Sequence, residues 1–432
     1  MTPAARLAAA IEVFASIEIE RRPAADALKA WGLAHRFAGS GDRAAIAGLV
    51  FDALRRRASS AYLMDADTPR AILLGMLKRE RGLGADAVAR LADGSRYAPE
   101  PLTDSERARL DGASLSGAPA HIAGDYPEWL DPYFSATFGK DRAEEGAALA
   151  SRAPVDLRVN TLKAERGKAC EMLADVSPAP THWSPWGLRI ALTADAKSPP
   201  IHAEPAFLKG FVELQDEGSQ LAALFSGAKS GGQVVDLCAG AGGKTLALAA
   251  MMQNKGQIYA HDDDKRRLAP IHERLARSGA RNVQVRNPKS VGDPLADLAG
   301  RIDLVLIDAP CTGTGAWRRN PDAKWRMRPG ALEQRKKEQA ETLERALPLL
   351  KPEGRIAYVT CSVLEEENGA QVRDFLARHP EFAAMPPAQA IESLGPEAGD
   401  FTKMARISAE GLLMTPRTTG TDGFFVSVLK RV

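Results

Sequence analysis

The chain has 432 residues, of which 45% are hydrophobic and 26% charged, and this composition excludes disordered, fibrous and collagen-like proteins. Lysine and arginine number 57 against 55 acidic residues, so a net charge of +2 excludes general attraction to nucleic acid and leaves only local patches. The four cysteines lack C-x-x-C spacing, so we expect reduced thiols and no bound metal. Because apolar runs of about 18 residues are absent, we expect neither a signal peptide nor a membrane span, and a cytoplasmic protein.

The first half of the chain divides by its apolar spacing. Residues 1–112 are predicted to be helical, because Leu7, Ile11 and Phe14 recur at helical intervals. The segment 113–127 is predicted to be a linker, since its Gly, Ser and Ala residues break the periodicity. Residues 128–215 are predicted to form a small α/β region, with strands at 157–160, 187–190 and 210–214.

From residue 216 onward, predicted strands and helices alternate. The strands are expected at 234–237, 257–260, 282–285, 302–307 and 355–359. This order predicts an α/β fold with a doubly wound, mostly parallel sheet. Two final apolar runs, 412–414 and 424–429, predict an antiparallel hairpin that closes the sheet.

A glycine-rich turn follows the first of these strands, with the sequence Asp236-Leu-Cys-Ala-Gly-Ala-Gly-Gly-Lys-Thr245. A P-loop would need glycine at Cys238, and a dinucleotide fingerprint would need glycine at Thr245, so neither pattern fits. The remaining alternatives are a turn for a nucleoside cofactor without a pyrophosphate, notably S-adenosylmethionine (SAM), and a purely structural turn. Asp262, at the end of the next strand, is where a carboxylate would accept both ribose hydroxyls, although it can also be a helix N-cap.

Two cysteines follow the ends of central strands. Cys311 comes after Ile307-Asp-Ala-Pro310, and Cys361 comes after Tyr358-Val-Thr360. In open α/β sheets the ligand crevice lies at the carboxyl edge of the strands. We therefore expect both thiols to face one cleft, opposite the methyl-donor site, instead of acting as small buried hydrophobes.

The motifs together resemble those of the RNA cytosine-5 methyltransferases, in particular the bacterial RsmB (Sun/Fmu) branch that acts on small-subunit ribosomal RNA. The resemblance covers about 125–432, and the motifs that carry it are Tyr126-Pro-Glu-Trp-Leu130, Leu157-Arg-Val-Asn160, Gln215-Asp-Glu-Gly-Ser-Gln220, Asp236–Thr245, Asp308-Ala-Pro-Cys311, Arg318–Trp325, Thr360-Cys-Ser362 with Glu366-Glu-Asn368, and Asp422-Gly-Phe-Phe425. The helical N-terminus is similar to that branch's NusB-like RNA-binding domain.

The resemblance implies a class I methyltransferase domain over 216–432 with SAM as its cofactor. It implies that Cys361 is the nucleophile, that Cys311 assists release of the methylated base, and that Asp308 and Lys244 contact the cytosine. The expected cofactor-binding residues are Asp236, Cys238, Ala239, Gly240, Gly242, Gly243, Lys244, Asp262, Asn287 and Asp308. Asn287 stands where the family has an aspartate for the adenine amino group, and its amide oxygen can accept the same hydrogen bond.

A basic stretch after Cys311 is the predicted RNA contact. Residues 318–337 hold eight basic and two acidic side chains, with Trp317 and Trp325 nearby, which suits phosphate neutralisation and base stacking. We expect RNA contacts from Arg158, Asn160, Arg318, Arg319, Lys324 and Trp325. Three glutamates, Glu365–Glu367, follow Cys361 and would disfavour its thiolate, unless they serve only to stabilise a helix N-terminus.

The sequence therefore predicts a SAM-dependent RNA cytosine-C5 methyltransferase, acting on 16S ribosomal RNA as a monomer. The same chemistry on tRNA remains an alternative that changes only the partner. A non-catalytic ribosome-assembly factor that keeps the fold is a further alternative, which the presence of both cysteines disfavours.

Overall fold

The structure is a computed structural model that describes residues 1–192, 199–288 and 292–432. It contains two compact units, the first comprising Met1–Arg152 and Trp317–Arg328, the second Ala153–Ala316 and Pro329–Val432. The chain therefore leaves the second unit after residue 316 and returns to it at residue 329. Within the described ranges, each helix is too short or too polar to cross a lipid bilayer.

The first unit is helical, as predicted. Its helices begin at clear signals: Thr2 and Thr68 each cap a helix that starts with proline, and Thr103 forms a capping box with Glu106. Phe14 and Ile72 are among the residues that form its buried core. The helices are Pro3–Glu20, Ala24–Ala34, Ser40–Arg55, Arg57–Met64, Pro69–Arg81, Ala85–Ala89, Asp104–Gly112, Ala120–Ala123, Asp131–Phe138, Arg142–Leu149 and Ala323–Arg326.

The segment predicted as a linker, 113–127, ends in packed structure. The ring of Tyr126 is buried and stacks on Phe134 at 4.3 Å between centroids. A Cβ atom at Gly146 would lie 2.6 Å from that ring, so glycine makes room for it. Small residues in this part of the chain thus allow close packing, which the composition alone does not separate from a flexible connection.

The second unit contains a small antiparallel sheet of order β2-β3-β1-β4. Its strands are β1 (Val155–Val159), β2 (Ala179–Pro180), β3 (Gly187–Ile190) and β4 (Val212–Leu214), with helices Arg166–Met172 and Pro205–Leu208. Leu157, Leu188 and Val212 from three of these strands share one buried cluster. The alternating apolar residues of these strands therefore face a common core, as the period-two pattern predicts.

The larger sheet of the second unit is doubly wound, as predicted, with the order β11-β12-β13-β9-β8-β5-β6-β7 and with β10 paired to β13. Strands β9, β8, β5, β6 and β7 are parallel, and β13 runs antiparallel to β9. The bounds are β5 (Gln233–Asp236), β6 (Gln257–His261), β7 (Val283–Arg286), β8 (Ile302–Asp308), β9 (Leu350–Thr360), β10 (Phe382–Ala384), β11 (Arg406–Ile407), β12 (Leu412–Met414) and β13 (Phe424–Arg431). The predicted hairpin is β12–β13.

The parallel order places the ends of five strands at one edge. The strands β5, β6, β7, β8 and β9 all end there, so the residues at or just after their ends lie at the crevice where open α/β sheets bind ligands. The remaining helices of this unit are Glu217–Phe225, Gly243–Met251, Lys265–Leu268, Ile271–Ser278, Pro329–Ala346, Gly369–Arg378, Pro387–Ile391 and Ala398–Met404.

Candidate active site

The glycine turn connects β5 to the helix Gly243–Met251 in a backbone conformation that side chains disfavour. Gly240 has φ of +51° and Gly242 has φ of +84°, both in the left-handed region. A Cβ atom at Gly242 would also lie 2.5 Å from Cγ1 of Ile271. The turn therefore requires these glycines, and it presents bare backbone to the neighbouring cavity.

Asp262 ties this turn to the end of β6. Its Oδ2 atom accepts a hydrogen bond of 2.9 Å from the backbone N–H of Gly240, and Oδ1 accepts one from the N–H of Asp264. The carboxylate is nearly buried, with a guanidinium nitrogen of Arg267 3.6 Å from Oδ2. Asp262 thus has a structural part in the turn, and its contact with ribose hydroxyls stays a prediction.

A cavity of about 470 Å³ lies beside the turn. Its volume is within the range of roughly 300–1,000 Å³ that is usual for small-molecule sites. The residues predicted to bind the cofactor that line it are Cys238, Ala239, Gly240, Gly243, Lys244 and Asp308. Further lining residues, which were not predicted from the sequence, include Gln215, Ser219, Arg266, Arg267 and Arg274. The first two lie in the motif 215–220, which was the available signal.

A second cavity, of about 580 Å³, is lined by Asp263, Asp264, Lys265, Arg266 and Pro288. Arg266 lines both cavities. Asn287 follows β7 directly, is exposed, and precedes Pro288 in the chain. The predicted contact between Asn287 and the adenine amino group stays a prediction.

The lining of the first cavity fits SAM, which carries a carboxylate, an ammonium and a sulfonium group. The cavity presents the carboxylate of Asp308 and the guanidinium groups of Arg266 and Arg267, so both signs of charge have a complement. A Cβ atom at Gly240 would meet its nearest neighbour only at 3.7 Å. A side chain there would enter space that the bare turn leaves open for a ligand.

Asp236 requires a correction, because it does not reach the cavity. It is completely buried at the end of β5, and its Oδ2 atom accepts a 2.6 Å hydrogen bond from the hydroxyl of Thr245. Burial raises the pKa of Asp236 to about 7, against the lowering effect of the Thr245 hydrogen bond. Asp236 therefore holds the start of the helix and is not available to the cofactor.

Lys244 and Asp308 form an ion pair at the cavity wall. The Nζ atom of Lys244 lies 2.7 Å from Oδ2 of Asp308, and their side chains are 6% and 35% exposed. The same Nζ atom lies 5.0 Å from the ring centroid of Phe424. The structure thus brings together two of the predicted catalytic groups, with the carboxylate open to the cavity.

The two cysteines predicted to act on the base also meet. Cys311 follows β8 and Cys361 follows β9, and these adjacent parallel strands bring the two Sγ atoms to 3.3 Å. Both thiols are reduced and half-buried. The hydrogen bond with Cys361 and burial raise the pKa of Cys311 well above its ordinary value. The two sulfurs are therefore close enough to act on one pyrimidine ring.

Arg158 and Asn160, predicted to contact RNA, are buried. The Nε atom of Arg158 donates a 2.6 Å hydrogen bond to Oε1 of Gln215, and burial lowers the pKa of Arg158 to about 10. The side-chain amide of Asn160 donates to the carbonyl oxygens of Gly210 and Ser278 at 2.8 and 2.7 Å. The RNA prediction is wrong for both, because their polar groups stabilise the interior of the second unit.

The predictions for Arg318, Lys324 and Trp325 also need correction. Lys324 is completely buried in the first unit, where Nζ donates to the carbonyl oxygens of Arg55 and Asp125 at 2.8 and 2.6 Å. Trp325 is half-buried and its indole N–H donates to the carbonyl of Leu54 at 2.6 Å. Arg318 is 4% exposed. These side chains anchor the segment 317–328 in the helical unit, so they are not a free surface for RNA.

The rest of the basic stretch contains exposed side chains and side chains that pair with neighbouring glutamates on one helix. Arg319 is exposed, so its RNA contact stays a prediction. In the helix Pro329–Ala346, the basic side chains pair with neighbouring glutamates: Arg335 with Glu338, Lys336 with Glu333, and Lys337 with Glu341. The surplus of positive charge in the sequence is therefore smaller at the surface.

The three glutamates after Cys361 have different environments. Glu365 pairs with Arg373 at 2.8 Å, and Glu366 is half-buried, which raises its pKa. Glu367 is completely buried and accepts a hydrogen bond of 2.8 Å from the backbone N–H of Thr312. The sequence pattern of three consecutive glutamates does not distinguish Glu367 from its neighbours.

Comparison with known proteins agrees with this arrangement. The family model of the 16S rRNA methyltransferases RsmB/F matches residues 225–430. The probable ribosomal RNA small subunit methyltransferase B of Synechocystis sp. is 30% identical over 309 residues, which are 71% of this chain and 67% of that protein. The ribosomal RNA small subunit methyltransferase B of Sodalis glossinidius is 32% identical over 336 residues, 76% of this chain and 68% of that protein.

A solved structure has the same fold across the whole chain. The crystal structure of PH0851 superposes with a TM-score of 0.73 and 25% identity, covering 100% of this chain and 99% of that one. Together with the glycine turn, the cavity and the paired thiols, these similarities identify the fold, the cofactor and the class of enzyme. The chain belongs to the RsmB/F family of SAM-dependent ribosomal RNA methyltransferases.

Proposed function

We propose that this enzyme transfers a methyl group from SAM to carbon 5 of a cytosine in 16S ribosomal RNA, through a covalent adduct with Cys361. The observation that carries the proposal is the pair of Sγ atoms of Cys311 and Cys361, 3.3 Å apart at the edge of the sheet where Asp308 ends β8. The substrate follows the names of the relatives, which are small-subunit ribosomal RNA methyltransferases.

Carbon 5 of cytosine is a weak nucleophile, so the reaction needs prior addition to carbon 6. The Sγ atom of Cys361 forms a bond to carbon 6, and the electron pair of the 5,6 double bond moves toward carbon 5 and the N3 edge. When SAM is bound, it supplies the methyl group that carbon 5 then takes. Transfer of the proton on carbon 5 to solvent restores the double bond and expels Cys361 as a thiolate, and the Cys311 thiol, whose Sγ atom lies 3.3 Å from that of Cys361, assists this release by a hydrogen bond to the leaving sulfur.

Asp308 and Lys244 hold the base during the addition. Asp308 faces the N3/N4 edge of the cytosine, where negative charge builds up during the addition. The Nζ atom of Lys244 lies 2.7 Å from Oδ2 of Asp308, and its positive charge stabilises the charge on the base. A cytosine inside a duplex must leave the stack before a thiol can reach carbon 6, so the substrate is an unstacked cytosine. Ribosomal RNA as the substrate also implies a cytoplasmic enzyme.

Substitution of the two cysteines tests the mechanism. With 16S RNA and SAM, Cys361→Ala should abolish methylation, while Cys311→Ala should accumulate a protein–RNA adduct that survives a denaturing gel. The matched control is Cys170→Ala, which removes a thiol that contacts the carbonyl oxygen of Pro178 and packs against the core of the small sheet. An adduct in Cys361→Ala, with none in Cys311→Ala, would reverse the assigned roles.

The target RNA is tested separately. Bisulfite sequencing of total RNA from a strain that lacks the protein should reveal one or more unmethylated cytosines in 16S RNA, restored by the wild-type gene and not by Cys361→Ala. Loss of methylation in tRNA alone would replace the ribosomal substrate. Intact methylation in every RNA would remove the proposed function.

A further inference from the structure

A buried carboxylate lies between the two loops that carry the cysteines. Glu367 is completely buried in the second unit, on the short helical turn Glu365–Glu367 after Cys361. A fully buried glutamate is rare unless its oxygens are paired, because removal of a carboxylate from water is costly. The partners of Glu367 therefore indicate what its burial stabilises.

Those partners come from the residues directly after each cysteine. The carboxylate of Glu367 accepts hydrogen bonds from the backbone N–H of Thr312 at 2.8 Å and from the hydroxyl groups of Thr312 and Ser362. Thr312 follows Cys311, and Ser362 follows Cys361. One carboxylate thus binds the next residue after each of the two thiols.

We call Glu367 with its partners Thr312 and Ser362 the clamp, and further hydrogen bonds hold this clamp in place. The side-chain amide of Gln339 donates to Oε1 of Glu367 at 3.0 Å and to the carbonyl of Pro310 at 2.9 Å. The backbone N–H of Gly315 donates to the carbonyl of Cys361 at 2.9 Å, which joins the same two loops a second time. The loops are therefore fixed by several hydrogen bonds that converge on Glu367.

We propose that Glu367 is a positioning residue that holds the Cys311 loop and the Cys361 loop in one arrangement, so that both thiols reach the same base. This inference rests on the proposed function. It goes beyond it because the carboxylate acts through Thr312 and Ser362 and not on the substrate.

The charge of Glu367 also acts on the Cys311 thiol. The hydrogen bond between Cys311 and Cys361 is the largest cause that raises the pKa of Cys311, followed by burial and by the negative charges of Cys361 and Glu367. Neutralising Glu367 should therefore lower the pKa of Cys311. If Glu367 only packed against the loops, its neutralisation would leave the pKa of Cys311 unchanged.

Two substitutions separate position from charge. Glu367→Gln keeps the size of the side chain, and its amide can leave the oxygen on Thr312 N–H while the two hydroxyl groups rotate to accept from the NH₂ group. Glu367→Ala removes both the charge and the clamp. The matched control is Glu365→Gln, which removes a neighbouring negative charge from an exposed pair with Arg373.

The first measurement needs neither RNA nor cofactor. Alkylation of the full-length protein by iodoacetamide is followed across pH by mass spectrometry of the Cys311 peptide. We expect the midpoint for Cys311 to move to lower pH in Glu367→Gln and to stay in place in Glu365→Gln. An unchanged midpoint in Glu367→Gln would overturn the role assigned to the charge.

The second measurement is methylation of 16S RNA under saturating SAM. We expect Glu367→Ala to lower kcat about 100-fold with KM for RNA within threefold, and Glu367→Gln to restore kcat to within about tenfold of wild type. Wild-type kcat in Glu367→Ala, or equal losses in both variants with an unmoved Cys311 midpoint, would overturn the proposal.

A fallback keeps the test decisive if Glu367→Ala does not fold. Thr312→Val combined with Ser362→Ala removes both hydroxyl donors without introducing a charge, and kcat should fall at least tenfold. A wild-type kcat in this double variant would count against the clamp. Failure of the wild-type enzyme to methylate RNA would instead remove the proposed function, while the alkylation result would still stand by itself.

Discussion

Two buried lysines, one in each unit, have very different surroundings. Lys244 pairs at 2.7 Å with Asp308, whose side chain is 35% exposed at the wall of a cavity. Lys324 donates to the carbonyl oxygens of Arg55 and Asp125, and burial lowers its pKa to about 7. Burial of a cation thus marks a reaction site only where its partner opens onto a cavity. Where the partners are backbone carbonyls, the cation holds two chain segments together.

The largest expected difference between the lysines is in catalysis. Lys244→Met should lower kcat for RNA methylation by about 100- to 1,000-fold, because it removes a positive charge beside the carboxylate that holds the base. Lys324→Met, assayed where it is folded, should stay within about threefold of wild type. Equal losses of kcat in both variants would contradict the assignment of Lys244 to catalysis and of Lys324 to structure.

The next difference is in stability, where Lys324→Met should have the larger effect and Lys244→Met the smaller. Lys324→Met leaves the carbonyl oxygens of Arg55 and Asp125 without their donor, at a cost of about 2–4 kcal/mol in the free energy of unfolding at pH 7. Urea unfolding followed by circular dichroism measures this loss. Lys244→Met serves as the comparison, and a smaller loss in Lys324→Met than in Lys244→Met would contradict the structural role.

The pH dependence sharpens that result. The pKa of Lys324 is about 7 in the folded chain and 10.5 in its ordinary state. The unfolded chain therefore binds more protons between these values, so the stability contributed at this site rises with pH, by up to about 1.4 kcal/mol per pH unit. The difference between wild type and Lys324→Met should grow from pH 7 to pH 10. A flat difference would mean that the lysine titrates normally.

The smallest effect concerns RNA. Arg319 is exposed, whereas Lys324 is not. Arg319→Gln should reduce the slope of log K against log salt for RNA binding by about one, since one phosphate contact is lost. Lys324→Met should leave the slope unchanged. An unchanged slope in Arg319→Gln would take this residue out of the RNA interface.

The sheet and the site could be predicted from sequence to different degrees. The strand positions and the doubly wound class of the sheet were predictable because each parallel strand is a short apolar run followed by a turn and a helix, and Cys311 and Cys361 each follow such a run. That two thiols at neighbouring strand ends would meet follows from parallel pairing alone, and the structure brings them together. The regular parallel pairing of the strands thus brings reactive side chains at the strand ends to one edge of the sheet.

The site residues that were predicted incorrectly from the sequence have one property in common. Arg158, Lys324 and Asp236 are charged residues that lie inside the protein, and their sequence neighbours do not show that buried carbonyls, an amide or a hydroxyl will meet them. Glu367 was missed for the same reason, since Thr312 lies far from it in the chain. A buried polar contact depends on tertiary partners, which neither composition nor periodicity contains.

The last strand of the sheet has a consequence for biosynthesis. β13 follows the other strands of this sheet in the chain, yet it pairs with β9, β12 and β10 and so lies within the sheet instead of at its border. Phe424, at its start, also contacts the ammonium of Lys244. Both cysteines are therefore synthesised before the strand that completes the surroundings of Lys244. A nascent chain that contains the two thiols but not β13 has an incomplete catalytic centre.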